Sequence, residues 1–146
     1  MAAWRDDAST QAQQALDELL NAVLGFAQQQ LAKHGEFFPY AAATGIDGKS
    51  ELVVVRPDHG GEQPQALDVI GACIAALVDK RNEIQAAAIV TDVRTAESDA
   101  IKVDLEHVEG QALSVLLPYR KADAGSPVEY GAIRAQAGHP QIWTSS

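Results

Sequence analysis

Residues 84–119 decide the fold, and they read IQAAAIVTDVRT (84–95), AIKVDLEH (100–107) and QALSVLLPY (111–119). In the second segment apolar and charged residues alternate between Ile101 and Leu105. A period of two is typical of a strand with one buried face. The stretch therefore predicts three consecutive antiparallel strands in the middle of an α+β fold.

The register between the last two strands depends on the loop that joins them. A two-residue turn ending at Gly110 would place Leu113 beside the charged Glu106. A three-residue loop ending at Gly110 instead places Leu105 beside Leu113 and makes one face uniformly apolar. Glycine supplies the left-handed residue that such a loop needs, and a slip by one residue would invert the face. We therefore predict the three-residue loop.

A long amphipathic helix of about 24 residues is predicted before this stretch, after a frayed lead at residues 1–8, and it is expected to stop near Lys33-His34-Gly35. Ser9 or Thr10 is the expected cap. The apolar residues recur at spacings of three and four, namely Ala12, Leu16, Leu19, Leu20, Val23, Ala27 and Leu31. At ~1.5 Å per residue the helix would be roughly 36 Å long. It would cover its own sheet or extend into a partner, and both options stay open.

A hairpin is predicted between residues 37 and 56. Asp47-Gly48 is a strong signal for a two-residue turn between its strands. Three consecutive alanines at 41–43 give little packing bulk, so a helix or another backbone is expected to approach closely there.

A second helix is predicted from Pro64 to Arg81. It is apolar on more than one side, which predicts burial between layers. Gly71 in its middle predicts a close contact. Cys73 is interpreted as a buried structural thiol rather than a nucleophile, because no histidine is near it in the sequence.

The C-terminal part, residues 120–146, is predicted to be an extended strand and tail. The strand is VEYGAIRA (128–135), with Tyr130 and Arg134 on the same face. Trp143 in the tail is expected to dock on the domain, because an indole ring buries a large area.

The predicted element order is α-β-β-α-β-β-β-(β). It describes a single α+β domain over residues 1–146, with two helices and a central antiparallel sheet of five to six strands. Over residues 10–119 this order resembles the profilin/roadblock-like fold. A strand and an irregular tail replace the third helix that usually closes the roadblock pattern. Small proteins of this type often act as homodimeric adaptors or small-ligand sensors, so the resemblance implies one of these roles.

Charge and composition narrow the classes of partner. The formal net charge is −9 and no basic stripe is visible, which argues against nucleic acid and anionic membranes as partners. The N-terminus is acidic where a signal peptide needs an apolar core, and no run approaches the ~18 apolar residues of a membrane helix. The single cysteine excludes an intrachain disulfide. We therefore predict a cytoplasmic protein.

Asp104, Glu106 and His107 form the most suggestive polar cluster. The two carboxylates share a strand face with Lys102 and His107 points the other way, so the three do not converge as metal ligands do. A solvated charged face is the favoured interpretation, and a metal or acid–base site is the alternative. If a helix or subunit covers this face, the carboxylates would need partners.

No other motif predicts a catalytic residue, a metal or a cofactor. Residues 45–50 end in Gly-Lys-Ser but lack the spacing of a phosphate-binding loop. His34, His59 and His139 are interpreted as surface residues. The best candidate for ligand binding is a basic and aromatic cluster that could hold a carboxylate or phosphate, namely Tyr119, Arg120, Tyr130 and Arg134, with Lys121 beside them.

These observations favour a non-catalytic domain that binds protein, most simply a second copy of itself. The hypothesis rests on a surplus of apolar positions and on the lack of a reactive constellation. Two alternatives stay open. One is a binder of small anionic ligands, or an enzyme, with its pocket near the C-terminal segment. The other is an acidic protein of the immunity type that neutralises a basic partner.

Overall fold

A computed structural model describes residues 9–34, 37, 39–53, 66–120 and 128–143. The first four elements are α1 (Thr10–His34), β1 (Tyr40–Gly45), β2 (Ser50–Val53) and α2 (Ala66–Lys80). The remaining elements are β3 (Ile84–Arg94), β4 (Asp99–His107), β5 (Ala112–Arg120), β6 (Glu129–Tyr130) and β7 (Arg134–Ala137). The predicted α+β class with a central antiparallel sheet is confirmed. The predicted lead at residues 1–8 and the predicted helix start at Pro64 lie outside the described residues.

The strands form one antiparallel sheet in the order β2-β1-β3-β4-β5-β6, and β7 pairs with the same edge of β5 as β6. The stretch 84–119 therefore supplies the three long central strands. Leu105 lies opposite Leu113, as predicted. Gly110 ends the connecting loop with φ of 113°, which confirms the three-residue loop.

The hairpin between β1 and β2 uses the same kind of loop. Its Gly45 N–H donates to the Lys49 carbonyl at 2.8 Å, and the Gly48 N–H donates to the Gly45 carbonyl at 2.9 Å. The loop therefore holds three residues, 46–48, and the predicted two-residue turn is wrong. The physical reason is that Gly48, with φ of 90°, closes a bulged loop as readily as it would close a tight turn.

Helix α1 covers one face of its own sheet, which is called the α1 face below. Its buried residues are Ala12, Ala15, Leu16, Leu19, Val23, Ala27 and Leu31. They pack on the alternating apolar residues of the central strands, and the Tyr40 hydroxyl donates to the Val23 carbonyl at 2.5 Å. Ser9 is the cap, since its Oγ accepts the Ala12 N–H at 3.0 Å. The open question about the first helix is thus answered.

Helix α2 covers part of the opposite face, called the α2 face. Val69, Cys73 and Leu77 are buried against β1 and β3, where Ala41 and Ala43 permit the close approach that three alanines predicted. Only this one side of α2 is buried, so the predicted burial between layers is wrong for the described side chains. The apolar residues that flank the buried stripe remain half-buried because no second described layer covers them.

Two features of α2 bear on its predicted contacts. Gly71 is exposed, and no described atom lies within 4 Å of the position a Cβ would take, so the predicted close contact there is wrong. Burial raises the pKa of the Cys73 thiol, which fits the predicted buried thiol.

The C-terminal strand is split in two. The Gly131 N–H donates to the Pro118 carbonyl at 2.8 Å, and residues 131–133 then leave the ladder before β7 begins. Tyr130 lies opposite Tyr119 and Arg134 lies opposite Leu116, which places them on different faces of the sheet. The prediction that they share a face is wrong, because the interruption resets the alternation.

Candidate functional site

The predicted ligand-binding cluster divides between the two faces. Tyr119 and Tyr130 are a cross-strand pair on the α1 face. Arg120 and Arg134 lie on the α2 face, four positions apart along β5 in register, and both are exposed. The structure thus brings the two tyrosines together and places the arginines elsewhere.

Tyr119 is buried and its hydroxyl donates to Asp92 Oδ1 at 2.5 Å. The Asp92 carboxylate lies on β3, and β4 separates this strand from β5, which carries Tyr119. Burial, and then the hydrogen bond and negative charge of Asp92, hold the pKa of Tyr119 well above its ordinary value. Tyr119 is therefore neutral and hydrogen-bonded beneath α1. Its role is structural, and a ligand from solvent cannot reach its side chain.

We expect Tyr119→Phe to lower the free energy of unfolding by about 1.5–3 kcal/mol, the range for a hydrogen bond to a charged group. The folded-state pKa is raised, so this contribution is complete below the unfolded pKa of ~10 and is lost as pH rises above it. Urea unfolding across this pH range should therefore show a shallower alkaline loss for Tyr119→Phe than for the parent. Tyr130→Phe, on an exposed residue, is the control, and an equal change in both variants would contradict the prediction.

Arg134 lines a shallow groove of about 280 Å³ beside Thr95, Glu97, Leu116 and Gln136. The β3–β4 loop supplies Thr95 and Glu97, while β7 supplies Arg134 and Gln136. Of the four predicted ligand residues, Arg134 is the one that this groove contains.

Asp104, Glu106 and His107 separate as the register argument predicted. Asp104 pairs with Lys102 on the α2 face, at 3.7 Å, and both side chains remain partly exposed. Glu106 is buried farther along the same face, and His107 is buried on the α1 face. Among the described residues no three acidic, histidine or cysteine side chains are grouped to hold a metal ion.

The Glu106 carboxylate holds the C-terminal segment on the sheet. Both of its oxygens accept the Ile142 N–H at 3.0 Å, and Oε1 also accepts the Trp143 N–H at 3.3 Å. Ile142 is 1% exposed and completes the apolar cluster under α2. The carboxylates on this face were predicted to need partners if the face were covered. The C-terminal segment covers Glu106 and supplies its partners.

His107 is the last residue of β4 and its side chain is buried. One of its ring nitrogens has no described partner. Its Nδ1 accepts the Glu109 N–H at 3.1 Å, so the neutral ring carries its proton on Nε2. That Nε2 is closed to solvent and has no described acceptor. Burial lowers the pKa of His107, and the charge of Glu109 opposes this in part. A buried donor without an acceptor typically costs ~1–3 kcal/mol.

His107 lines a cavity of about 400 Å³ at the end of the sheet, which we call the end pocket. The two glycine loops border it through Ile46 and Val108, whose N–H groups donate to the Glu83 and Gln85 carbonyls at the start of β3. The rest of its wall comes from α1, the α2–β3 turn, the start of β3, the β4–β5 loop and the tail, namely Gln11, Arg81, Asn82, Ile84, Gln85, Glu109 and Trp143.

The β2 edge of the sheet is a second candidate surface. Within the described residues β2 pairs with β1 alone. Leu52 on this strand is 43% exposed. It borders a groove of about 410 Å³ between β2 and α1, which Leu19, Ala22 and Phe26 also line.

Sequence reasoning missed the end pocket because its wall comes from five separate segments. A partial signal was present, since Ile46-Asp47-Gly48 and Val108-Glu109-Gly110 repeat one loop pattern. The role of Glu106 had no local signal, because its partners lie 36 and 37 positions away.

No family model, curated protein or solved structure matches this chain. The resemblance to the profilin/roadblock-like fold therefore rests on element order alone. Neither described helix is long and apolar enough to cross a membrane.

Proposed function

We propose that this chain is a cytoplasmic, non-catalytic protein-binding domain that pairs with a second copy of itself through the β2 edge. The exposed Leu52 on a strand with one described neighbour is the observation that supports it best. The resemblance in element order to homodimeric adaptors supports the same proposal.

An edge strand carries unpaired backbone N–H and C=O groups, which a second strand can satisfy by joining the sheet. Two copies of β2 that pair antiparallel about a twofold axis perpendicular to the sheet keep their α1 faces on one side. The two grooves beside α1 then meet, and each Leu52 side chain enters the space between Phe26 residues of the two copies. Burial of these side chains would supply the apolar centre of the interface.

Charge sets a testable condition on this pairing. Each chain carries a formal charge of −9, so two copies repel one another. Screening becomes stronger with salt, and the Debye length shrinks from ~10 Å at 0.1 M to ~3 Å at 1 M. We therefore expect self-association to tighten as salt rises, the reverse of what an interface built on ion pairs would show.

We expect sedimentation of the native chain at micromolar concentration to show a dimer, and Leu52→Lys to weaken the dimer at least about tenfold, since it puts a charge into the apolar centre. Val108→Lys is the matched control, because Val108 is 50% exposed and follows β4, which lies three strands away from β2. A native chain that stays monomeric, or equal weakening by both variants, would exclude the β2 interface.

The binding of a small anionic ligand is a second candidate, favoured by Arg134 in its groove between β7 and the β3–β4 loop. The Arg134 guanidinium suits a carboxylate or phosphate. Thermal unfolding in the presence of phosphate and of carboxylates tests it. Stabilisation that disappears in Arg134→Ala would support this candidate, and a shift unchanged by that substitution would rule the groove out.

A further inference from the structure

The end pocket collects hydrogen-bond donors whose acceptors are missing from the described part of the chain. The Nε2–H of the buried His107 has no acceptor. Arg81 is exposed at the pocket wall and forms no ion pair with a described carboxylate. Asn82 adds an amide beside it. The three residues that carry these donors, from two segments, therefore line one cavity.

Two acceptor atoms of the pocket wall are already engaged. Glu109 Oε2 accepts the Ser9 hydroxyl at 2.8 Å, and Gln85 Oε1 accepts the Gln11 amide at 3.4 Å. The unpartnered Nε2–H of His107 and the Arg81 guanidinium favour a negatively charged or carbonyl-bearing guest.

The helices at the pocket act in opposite directions on an anion. Gln11 lies in the first turn of α1, a helix of 25 residues whose N-terminus carries partial positive charge. The C-terminus of α2 carries partial negative charge, but Arg81 follows that helix directly and offsets it. The Arg81 guanidinium and the α1 terminus favour an anion in the pocket, while the Glu109 carboxylate on the same wall and the C-terminus of α2 oppose it.

The remaining wall is apolar and partly aromatic. Ile46 and Val108 are among the most exposed large apolar side chains of the molecule, and both border the pocket. The Trp143 side chain is half-buried, and the backbone N–H of this residue donates to Glu106 Oε1 at 3.3 Å. A flat apolar group would cover these side chains.

We propose that the end pocket binds a small carboxylate that carries a planar apolar group, with Arg81, Asn82 and His107 donating to the carboxylate and Trp143 packing on the ring. The cavity of about 400 Å³ lies within the range of small-ligand sites. Nε2 of His107 is closed to solvent, so the ligand reaches it after a wall side chain turns aside. Gln11, exposed and held by a 3.4 Å hydrogen bond, is the wall residue most loosely fixed.

Benzoate is the probe for this site, and Trp143 is the reporter once Trp4→Phe has removed the other tryptophan. Titration with benzoate should quench or shift the Trp143 emission to saturation. Benzamide lacks the charge and acetate lacks the ring, so each should bind at least about tenfold more weakly. No saturable change with benzoate, or equal binding of benzamide or acetate, would overturn the proposal.

Substitutions locate the site. We expect Arg81→Gln to weaken benzoate binding about tenfold and His107→Phe to weaken it by a similar factor, each through one lost donor. His107→Phe removes both the unpartnered Nε2–H and the Nδ1 acceptor of the Glu109 N–H, and because these two effects oppose one another the thermal midpoint of the free protein should change little. Arg134→Gln is the control, because Arg134 lies in the groove beside the β3–β4 loop. If Arg134→Gln lost benzoate binding and Arg81→Gln retained it, the assignment of the ligand to the end pocket would be overturned.

This proposal stands apart from dimer formation. Leu52→Lys leaves the end pocket intact, so a monomeric Leu52→Lys variant should bind benzoate as the native chain does. If the chain dimerises but does not bind benzoate, the proposal of a ligand site is excluded. If it binds benzoate but does not dimerise, the proposal of a β2 interface is excluded.

Discussion

Replacing Glu106 with alanine should detach the C-terminal segment from the sheet and lower the free energy of unfolding by about 2–4 kcal/mol. The substitution removes the acceptor for the N–H groups of Ile142 and Trp143. The segment would then satisfy these groups with water, which requires Ile142 to leave its buried position. In a Trp4→Phe background the Trp143 emission should move to the red, and urea unfolding gives the change in free energy.

Asp104→Ala is the matched control, because Asp104 lies on the same strand and the same face. Its ion pair with Lys102 is long and partly exposed, and such pairs contribute ~0–1 kcal/mol. Trp143 emission should stay unchanged in this variant. Equal losses for Glu106→Ala and Asp104→Ala would show that the Glu106 carboxylate does not anchor the tail.

A double-mutant cycle separates anchoring from simple loss of packing. If Glu106 acts through Ile142, then Ile142→Ala should release the same segment, and the two substitutions together should cost less than their sum. Additive losses would instead mean that the two side chains stabilise the domain independently.

The central hairpin was predictable because its determinants are local. The alternation from Ile101 to Leu105 defines the buried face, and Gly110 defines the loop length, so the register follows from residues within one hairpin. The same local information led to an error at Asp47-Gly48. There the glycine closes a three-residue loop, and the sequence signal for the two loop lengths is nearly the same.

The parts that could not be predicted depend on distant contacts. The split of the last strand is a shift of one residue between the registers in which β6 and β7 pair with β5, and the alternation of VEYGAIRA carries no sign of it. The one-sided burial of α2 depends on how much of the α2 face the helix reaches. Its stripe of Ile70, Ile74 and Val78 resembles a core stripe in sequence but lies at the margin of the contact.

The candidate sites also separate into features that local sequence predicts and features that depend on distant contacts. Tyr119, Arg120, Tyr130 and Arg134 are close in sequence, yet the sheet assigns them to two faces because neighbouring strand residues point in opposite directions. His107 and Arg81 are 26 positions apart in sequence. They line one cavity because the turn before β3 and the end of β4 lie at the same end of the sheet.

The largest predicted loss of stability follows from which residues of the central strands face α1. Leu105 is 1% exposed under α1, between Ala88 and Leu113 on the neighbouring strands. We expect Leu105→Ala to lower the free energy of unfolding by about 2–5 kcal/mol, because it opens a cavity that α1 and the sheet cannot refill. Leu116→Ala is the matched control on the α2 face, where the half-buried side chain should cost about 1 kcal/mol or less.

Urea unfolding of both leucine variants should be measured in the Leu52→Lys background, since dimer formation would otherwise add to the apparent stability. The contrast tests the register directly. A two-residue turn before β5 would put Leu116 on the face that packs against α1 and move Leu117 away from it. A larger loss for Leu116→Ala than for Leu105→Ala would therefore show that β5 presents its other face to α1.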